Sequence, residues 1–151
     1  MNKIVFSIAL FLVMLPLWSQ IVTEKNIQGK WQLVNYITAS ANLDLQTGKA
    51  TLDKTAYSFG QDTADKLKSD MESYTDMLKK ATVEINGNNF TQEISDTLLV
   101  GVFTIENKDN HQVMKGKFDN GTNGTIRIAL QDGKLVLTYA GQNKTYVYKK
   151  I

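Results

Sequence analysis

The side chains best able to do chemistry in this 151-residue chain are phenols and aromatic rings, since six tyrosines and six phenylalanines stand beside one histidine and no cysteine. Tyr139 closes one alternating apolar run, and Tyr146 and Tyr148 sit two apart in the next. A hydroxyl carried on an otherwise apolar wall gives a small ligand an orienting contact. Phe90, Phe103, Met114 and Phe118 fall on the same predicted interior parity, and Tyr57, Met71 and Tyr74 are the candidates from the segment predicted to cover it. Gly101 and Gly116 interrupt inward rows and are predicted to open space there. The same rings read equally well as a filled core.

Catalytic groups are scarce. His111 lies beside the turn residues Asp109 and Asn110, an exposed strand start rather than a base in a pocket. A transition-metal site of the usual kind needs several His or Cys ligands. No Gly-rich phosphate loop, nucleophile elbow or His-Glu-x-x-His occurs. Asp62, Asp65, Asp70, Glu72 and Asp76 do not share one helix face at close spacing and read as a solvated surface. Arg127 takes the outward parity of its strand, a poor position for an anion clamp. We therefore expect no enzyme, no metal and no cofactor. Seventeen basic residues against 15 acidic ones leave a net charge of +2 with scattered lysines, which argues against nucleic acid as a partner. Residues 119–125 hold Asn-Gly-Thr twice, a loop of residues that tolerate left-handed backbone, and a glycan acceptor only in a eukaryotic secretory setting.

The elements that must position these groups are short strands. Residues 81–86 and 89–94 flank a turn at Gly87. Residues 98–106 and 112–118 follow, then 125–130 and 134–139 joined by Asp132-Gly133, a strong hairpin signal. Residues 144–149 come last. Connections this short make neighbours antiparallel, because parallel strands need long crossovers. An eighth strand lies upstream at 30–37, where Trp31, Leu33 and Ile37 share a parity. Eight strands in up-and-down order leave two unpaired edges unless the sheet closes, so the predicted fold class is all-β, an eight-stranded up-and-down antiparallel β-barrel with a helical insert between strands one and two. The insert reads as a helix over 62–80 from the spacing of Ala64, Leu67, Met71, Tyr74 and Leu78. A shorter helix carrying Leu52, Ala56 and Phe59 is predicted before it. Strand 98–106 is apolar on both parities, so its outer face, with Val100 and Val102, needs a cover that the helix could supply.

Residues 1–19 read as a cleavable signal peptide: Lys3 gives the positive start, residues 4–18 the apolar stretch, and Ser19 a small residue before the cut. The run is shorter than the roughly 20 residues a spanning helix needs. Without cysteine there is no thiol for a lipid anchor. The expected mature protein, residues 20–151, is exported, periplasmic or extracellular, free of a stable membrane anchor and free of disulfides.

Gly29-Lys30-Trp31 at the start of the first strand, followed by a meander of about seven more, resembles the lipocalin-like barrels of the calycin group, especially the small exported domains of bacteria. The resemblance implies that Gly29 lets the chain turn tightly into the strand and that Trp31 plugs the closed end. Lipocalins set an arginine near the chain end against that tryptophan, whereas this chain ends in Lys149-Lys150. A helical insert between the first two strands is similar to intracellular fatty-acid-binding barrels, which hold a carboxylate with Arg-x-Tyr on the last strand. Here that strand reads Tyr146-Val147-Tyr148, with phenols and no arginine. The leading expectation is binding of a small apolar or amphipathic ligand inside the barrel with the helix as lid. The alternative is a filled barrel acting through its surface as an inhibitor or envelope interaction module.

Overall fold

The computed structural model describes residues 20–151. The signal-peptide reading of residues 1–19 lies outside them. Ten strands form one sheet: β1 (Gly29–Ile37), β2 (Ala41–Asp44), β3 (Lys49–Leu52), β4 (Thr82–Asn86), β5 (Asn89–Ile94), β6 (Thr97–Lys108), β7 (His111–Phe118), β8 (Asn123–Gln131), β9 (Lys134–Tyr139) and β10 (Lys144–Lys150). The order is β10-β9-β8-β7-β6-β5-β4-β1, and β1 also pairs antiparallel with β10, so eight strands close on themselves. Closure gives every barrel strand two neighbours and removes the exposed edges that a meander would leave.

Local chemistry sets the turns. Asp132 and Gly133 both take positive φ, 50° and 72°, the geometry that lets a two-residue turn follow the natural twist of β8 and β9. Gly29 enters β1 at φ 107°, a conformation closed to side chains with a Cβ. The inward rows then supply the core: Leu33, Val83, Ile85, Phe90, Phe103, Met114, Ile126, Ile128, Leu135 and Leu137 are all no more than 2% exposed.

Two elements depart from expectation in the segment before β4. Residues 41–52 form the β2–β3 hairpin, which pairs with the upper half of β1 through Asn35, Tyr36 and Ile37 and lengthens the wall there. The predicted short helix is thus split: Leu52 ends β3, while Ala56 and Phe59 belong to a 3₁₀ turn over Lys54–Phe59. Asp53 caps that turn, its carboxylate accepting from the Thr55 N–H at 2.7 Å. The spacing of Leu52, Ala56 and Phe59 fits a helix, but Leu52 is claimed by its ladder partner Ala41. The long helix is shorter and interrupted, as α1 (Gln61–Ser73) and α2 (Thr75–Leu78) meeting at Tyr74.

A bulge in β1 changes the row that faces inward. Leu33 pairs with Tyr148 and Asn35 with Val147, so Val34 is an extra residue with no partner on β10. An extra residue flips the alternation beyond it. Tyr36, opposite Tyr146 and Leu43, therefore joins the interior row, in place of the Ile37 expected from simple alternation.

The helix does not cover β6. It packs on β3, β2 and the 3₁₀ turn, and Ala64, Met71 and Leu78 are buried. The Glu72 carboxylate accepts from the Ala50 N–H at 3.1 Å, covering part of the free edge of β3. Leu98 and Val102, on the outer face of β6, remain 56% and 45% exposed.

The base of the barrel is shut by residues 20–28. Val22 and Ile27 are buried, Gln20 bridges to Leu130, and the Gln112 side-chain amide both accepts from the Val22 N–H and donates to its carbonyl. Trp31 sits in this closed end, its Nε1–H donating to the Ile27 carbonyl at 2.9 Å. Lys150 Nζ stands 5.5 Å from the Trp31 ring centroid, a cation over the ring face contributed by the chain end. Among the described residues, no helix is long and apolar enough to cross a membrane.

Candidate functional site

The predicted site residues separate into two layers. Phe90, Phe103 and Met114 lie in the packed core, at 0%, 2% and 0% exposure, and fill the middle of the lumen. Phe118 fills the space that glycine was expected to open. A Cβ on Gly116 would lie 2.5 Å from the Phe118 Cζ, one on Gly124 2.9 Å from its Cε2, and one on Gly101 2.8 Å from its Cδ1. The missing side chains are a seat for that ring, which also meets Phe90 edge-on at 6.3 Å between centroids. The glycines make room, and the chain itself takes it.

Above this layer the barrel becomes polar and aromatic. β9 and β10 are in register with Tyr146 opposite Leu137 and Tyr148 opposite Leu135, so the phenols of both strands share the inner face. Gln92, on the inward row of β5 between Phe90 and Ile94, is 5% exposed. The Tyr139 hydroxyl donates to Gln92 Oε1 at 2.8 Å, and Gln92 Nε2 donates to the Tyr148 hydroxyl at 2.7 Å. Tyr146 packs between these groups and the rim, 5.5 Å from Tyr139 at an 83° interplanar angle and 6.5 Å from Tyr148 in a stacked pair. Tyr36 lies 5.2 Å from Tyr146. Tyr36, Tyr139 and Tyr146, each half-buried, thus line the mouth, with Gln92 and Tyr148 buried beneath them.

Burial controls their acid–base behaviour. It pushes the Tyr146 hydroxyl up to about 12, with the nearby Tyr36 phenol adding to the rise. Burial raises Tyr139 and Tyr148 further, opposed in each by the hydrogen bond to Gln92. Tyr36 is raised by burial first and by the neighbouring Tyr74 phenol second. Placing a phenolate where little water reaches costs more than keeping the neutral hydroxyl, so all four act as neutral groups near pH 7.

Of the helical candidates, Met71 is buried against the core, with half-buried Leu67 beside it. Tyr74 is 46% exposed at the break between α1 and α2, near enough to Tyr36 to affect it. Tyr57 points largely to solvent from the 3₁₀ turn, at 48% exposure, and has no hydrogen bond to the mouth among the described residues. Two mouth residues escaped the sequence reading. Gln92 had a visible signal, a polar side chain on an apolar inward row. Tyr36 had none, because the bulge that turns it inward leaves no mark in the alternation.

A second concavity lies outside the barrel. A groove of about 510 Å³ on the outer face of β6, β7 and β8 is bordered by Val102, Thr104, Lys115, Lys117, Asn123 and Thr125. Lys115 is paired with Glu106 at 2.6 Å. His111 and Arg127 border another open hollow at the base, with Ile21 and Gln112, and no group of three His, Cys, Asp or Glu among the described residues could hold a metal.

Neither a known protein family nor a curated protein matches this sequence. Among solved structures the chain is similar to a DUF4847 family protein from Bacteroides vulgatus, with 12% identity, 82% of this chain and 93% of that chain covered, and a TM-score of 0.48.

Proposed function

We propose that this is an exported, lipocalin-like binding domain that holds one small amphipathic molecule at the upper mouth of the barrel, not deep in its lumen, and performs no catalysis. The observation that carries this reading is the mouth layer itself. Gln92 and the tyrosine hydroxyls are a small set of convergent polar groups set in an apolar wall, above a core filled by Phe90, Phe103 and Met114, against which half-buried Phe118 packs. Orienting polar groups on an apolar surface are what a small-ligand site requires. The β2–β3 hairpin and α1 raise the wall on the Tyr36 side, and Tyr74 stands beside it.

The test is organic extraction of protein purified from its native host, with mass spectrometry of the extract and titration with a fatty-acid and isoprenoid panel. Binding should perturb the Tyr36, Tyr139 and Tyr146 ring signals in NMR. Tyr146→Ala should weaken it about tenfold, the loss of a buried ring contact. Repeatedly empty extracts, together with no response to the panel, would count against the proposal.

The outer face of β6 favours a second reading. Exposed Val102 lines the groove that Lys115 and Lys117 border, and Leu98 is exposed farther along the same face of β6. A protein partner presenting a carboxylate next to an apolar side chain would suit it. Cross-linking from position 102 in the native host should then capture one partner, lost in a Lys117→Glu variant. A capture pattern indifferent to that charge reversal speaks against this surface.

A further inference from the structure

We infer that the mouth selects ligands presenting a neutral hydrogen-bond acceptor, such as a carbonyl or ether oxygen, to the buried Gln92–Tyr139–Tyr148 triad. The inference rests on the mouth being the binding site and adds the chemical class of what binds there. It follows from counting hydrogens. A glutamine amide carries two and each phenol one, so the triad holds four. Two are used, from Tyr139 to Gln92 Oε1 and from Gln92 Nε2 to the Tyr148 oxygen. The hydroxyl hydrogen of Tyr148 and the second amide hydrogen of Gln92 have no acceptor among the described residues. Turning the amide end for end changes nothing, because Tyr148 would then donate to the oxygen and Tyr139 accept from the nitrogen, again leaving two hydrogens unspent.

The location makes the surplus matter. Tyr148 is 0% and Gln92 5% exposed, where an unmatched donor is costly. Burial keeps the phenols protonated, so they offer hydrogens and cannot serve as anionic acceptors for one another. The charge nearby is peripheral: Lys144, opposite Tyr139 in the ladder, is half-buried at the rim. A carboxylate would meet its counter-charge at that rim, and would give up hydration without compensation if drawn down to the triad. An uncharged acceptor has no such penalty. Access is through Tyr146, which stacks over Tyr148. Among the described residues no hydrogen bond holds the Tyr146 hydroxyl, so that ring can swing aside without breaking one.

The test uses three probes of one shape on the intact protein: 2-acetylnaphthalene with a carbonyl, 2-ethylnaphthalene with no acceptor, and 2-naphthoate with a charge. Calorimetry should rank the ketone about tenfold tighter than the hydrocarbon, one hydrogen bond's worth. Tyr148→Phe should bring the two within about twofold, and Gln92→Leu serves as an independent second variant. Equal affinity for ketone and hydrocarbon in the unaltered protein would overturn the inference, with an ordered water then serving as the acceptor, while the mouth would stand as a site. Tightest binding of 2-naphthoate would overturn it in favour of charge selection. Failure of all three to bind or to shift the Tyr36 and Tyr146 signals would remove the mouth as a site, and this inference with it.

Discussion

Replacing Gly116 by alanine tests the packing that fills the lumen. The new Cβ would lie 2.5 Å from Phe118 Cζ and 3.0 Å from both Cε atoms, well inside contact distance. The ring is rigid, so it must swing off its seat and forfeit its edge-on contact with Phe90. Overpacking of this kind costs about 1–3 kcal/mol, offset by about 0.4–1 kcal/mol because alanine has less freedom to lose on folding. A net loss of about 1–2 kcal/mol is expected, read as a lower urea midpoint at unchanged slope. Phe118→Leu alone should cost about 1 kcal/mol for its lost contacts. The double variant should be little worse than Phe118→Leu, because the smaller chain vacates the space the methyl enters, giving a coupling of about 1 kcal/mol or more. Gly141→Ala is the control: nothing lies within 4 Å of a Cβ at that position, far from the Phe118 ring. Its combination with Phe118→Leu should be close to additive. If Gly116→Ala and Phe118→Leu add within about 0.5 kcal/mol, or if Gly116→Ala stabilises, the seat is misassigned.

Two further outcomes follow from the mouth and the base. The Tyr146 phenol is neutral in the fold up to about pH 12 but ionises near 10 when unfolded. The folded state therefore holds its proton more tightly between those values, so stability is fully present below pH 10 and falls as pH rises towards 12. A rise from 10 to about 12 corresponds to about 2.7 kcal/mol at most, reduced to about 1 kcal/mol because the ring is partly solvated. Tyr146→Phe should lessen that alkaline decline, to which the raised Tyr139 and Tyr148 also contribute, and an unaltered profile would contradict the assignment. At the base, Gln112→Ala removes both hydrogen bonds to Val22, worth about 1–2 kcal/mol together. Hydrogen exchange at the Val22 amide should accelerate about tenfold while the β8–β9 core stays protected, and unchanged protection would show that the apolar contacts of Val22 and Ile27 suffice.

The barrel was legible because its signals are local: period-2 alternation in β8 and β9, the Asp132-Gly133 turn, and connections too short for any but antiparallel neighbours. The β2–β3 hairpin was not, since its strands are four residues each and their alternation also fits a helical spacing at Leu52, Ala56 and Phe59. Phenols of the mouth were recognisable on β9 and β10, where alternation is unbroken. Tyr36 was hidden behind the Val34 bulge, a feature set by how β1 meets two partners rather than by its own residues. The occupancy of the glycine gaps also depends on tertiary contact: nothing in the local pattern says that Phe118 turns back over Gly116.

The bulge at Val34 divides β1 into two stretches with separate duties. Trp31 and Leu33 serve the floor and lower interior, while Tyr36, one residue out of step, serves the rim. Substitutions on either side of Val34 therefore fall on different properties, stability below and binding above. Variation could retune what the rim accepts while the foundation is left alone, within a single continuous strand.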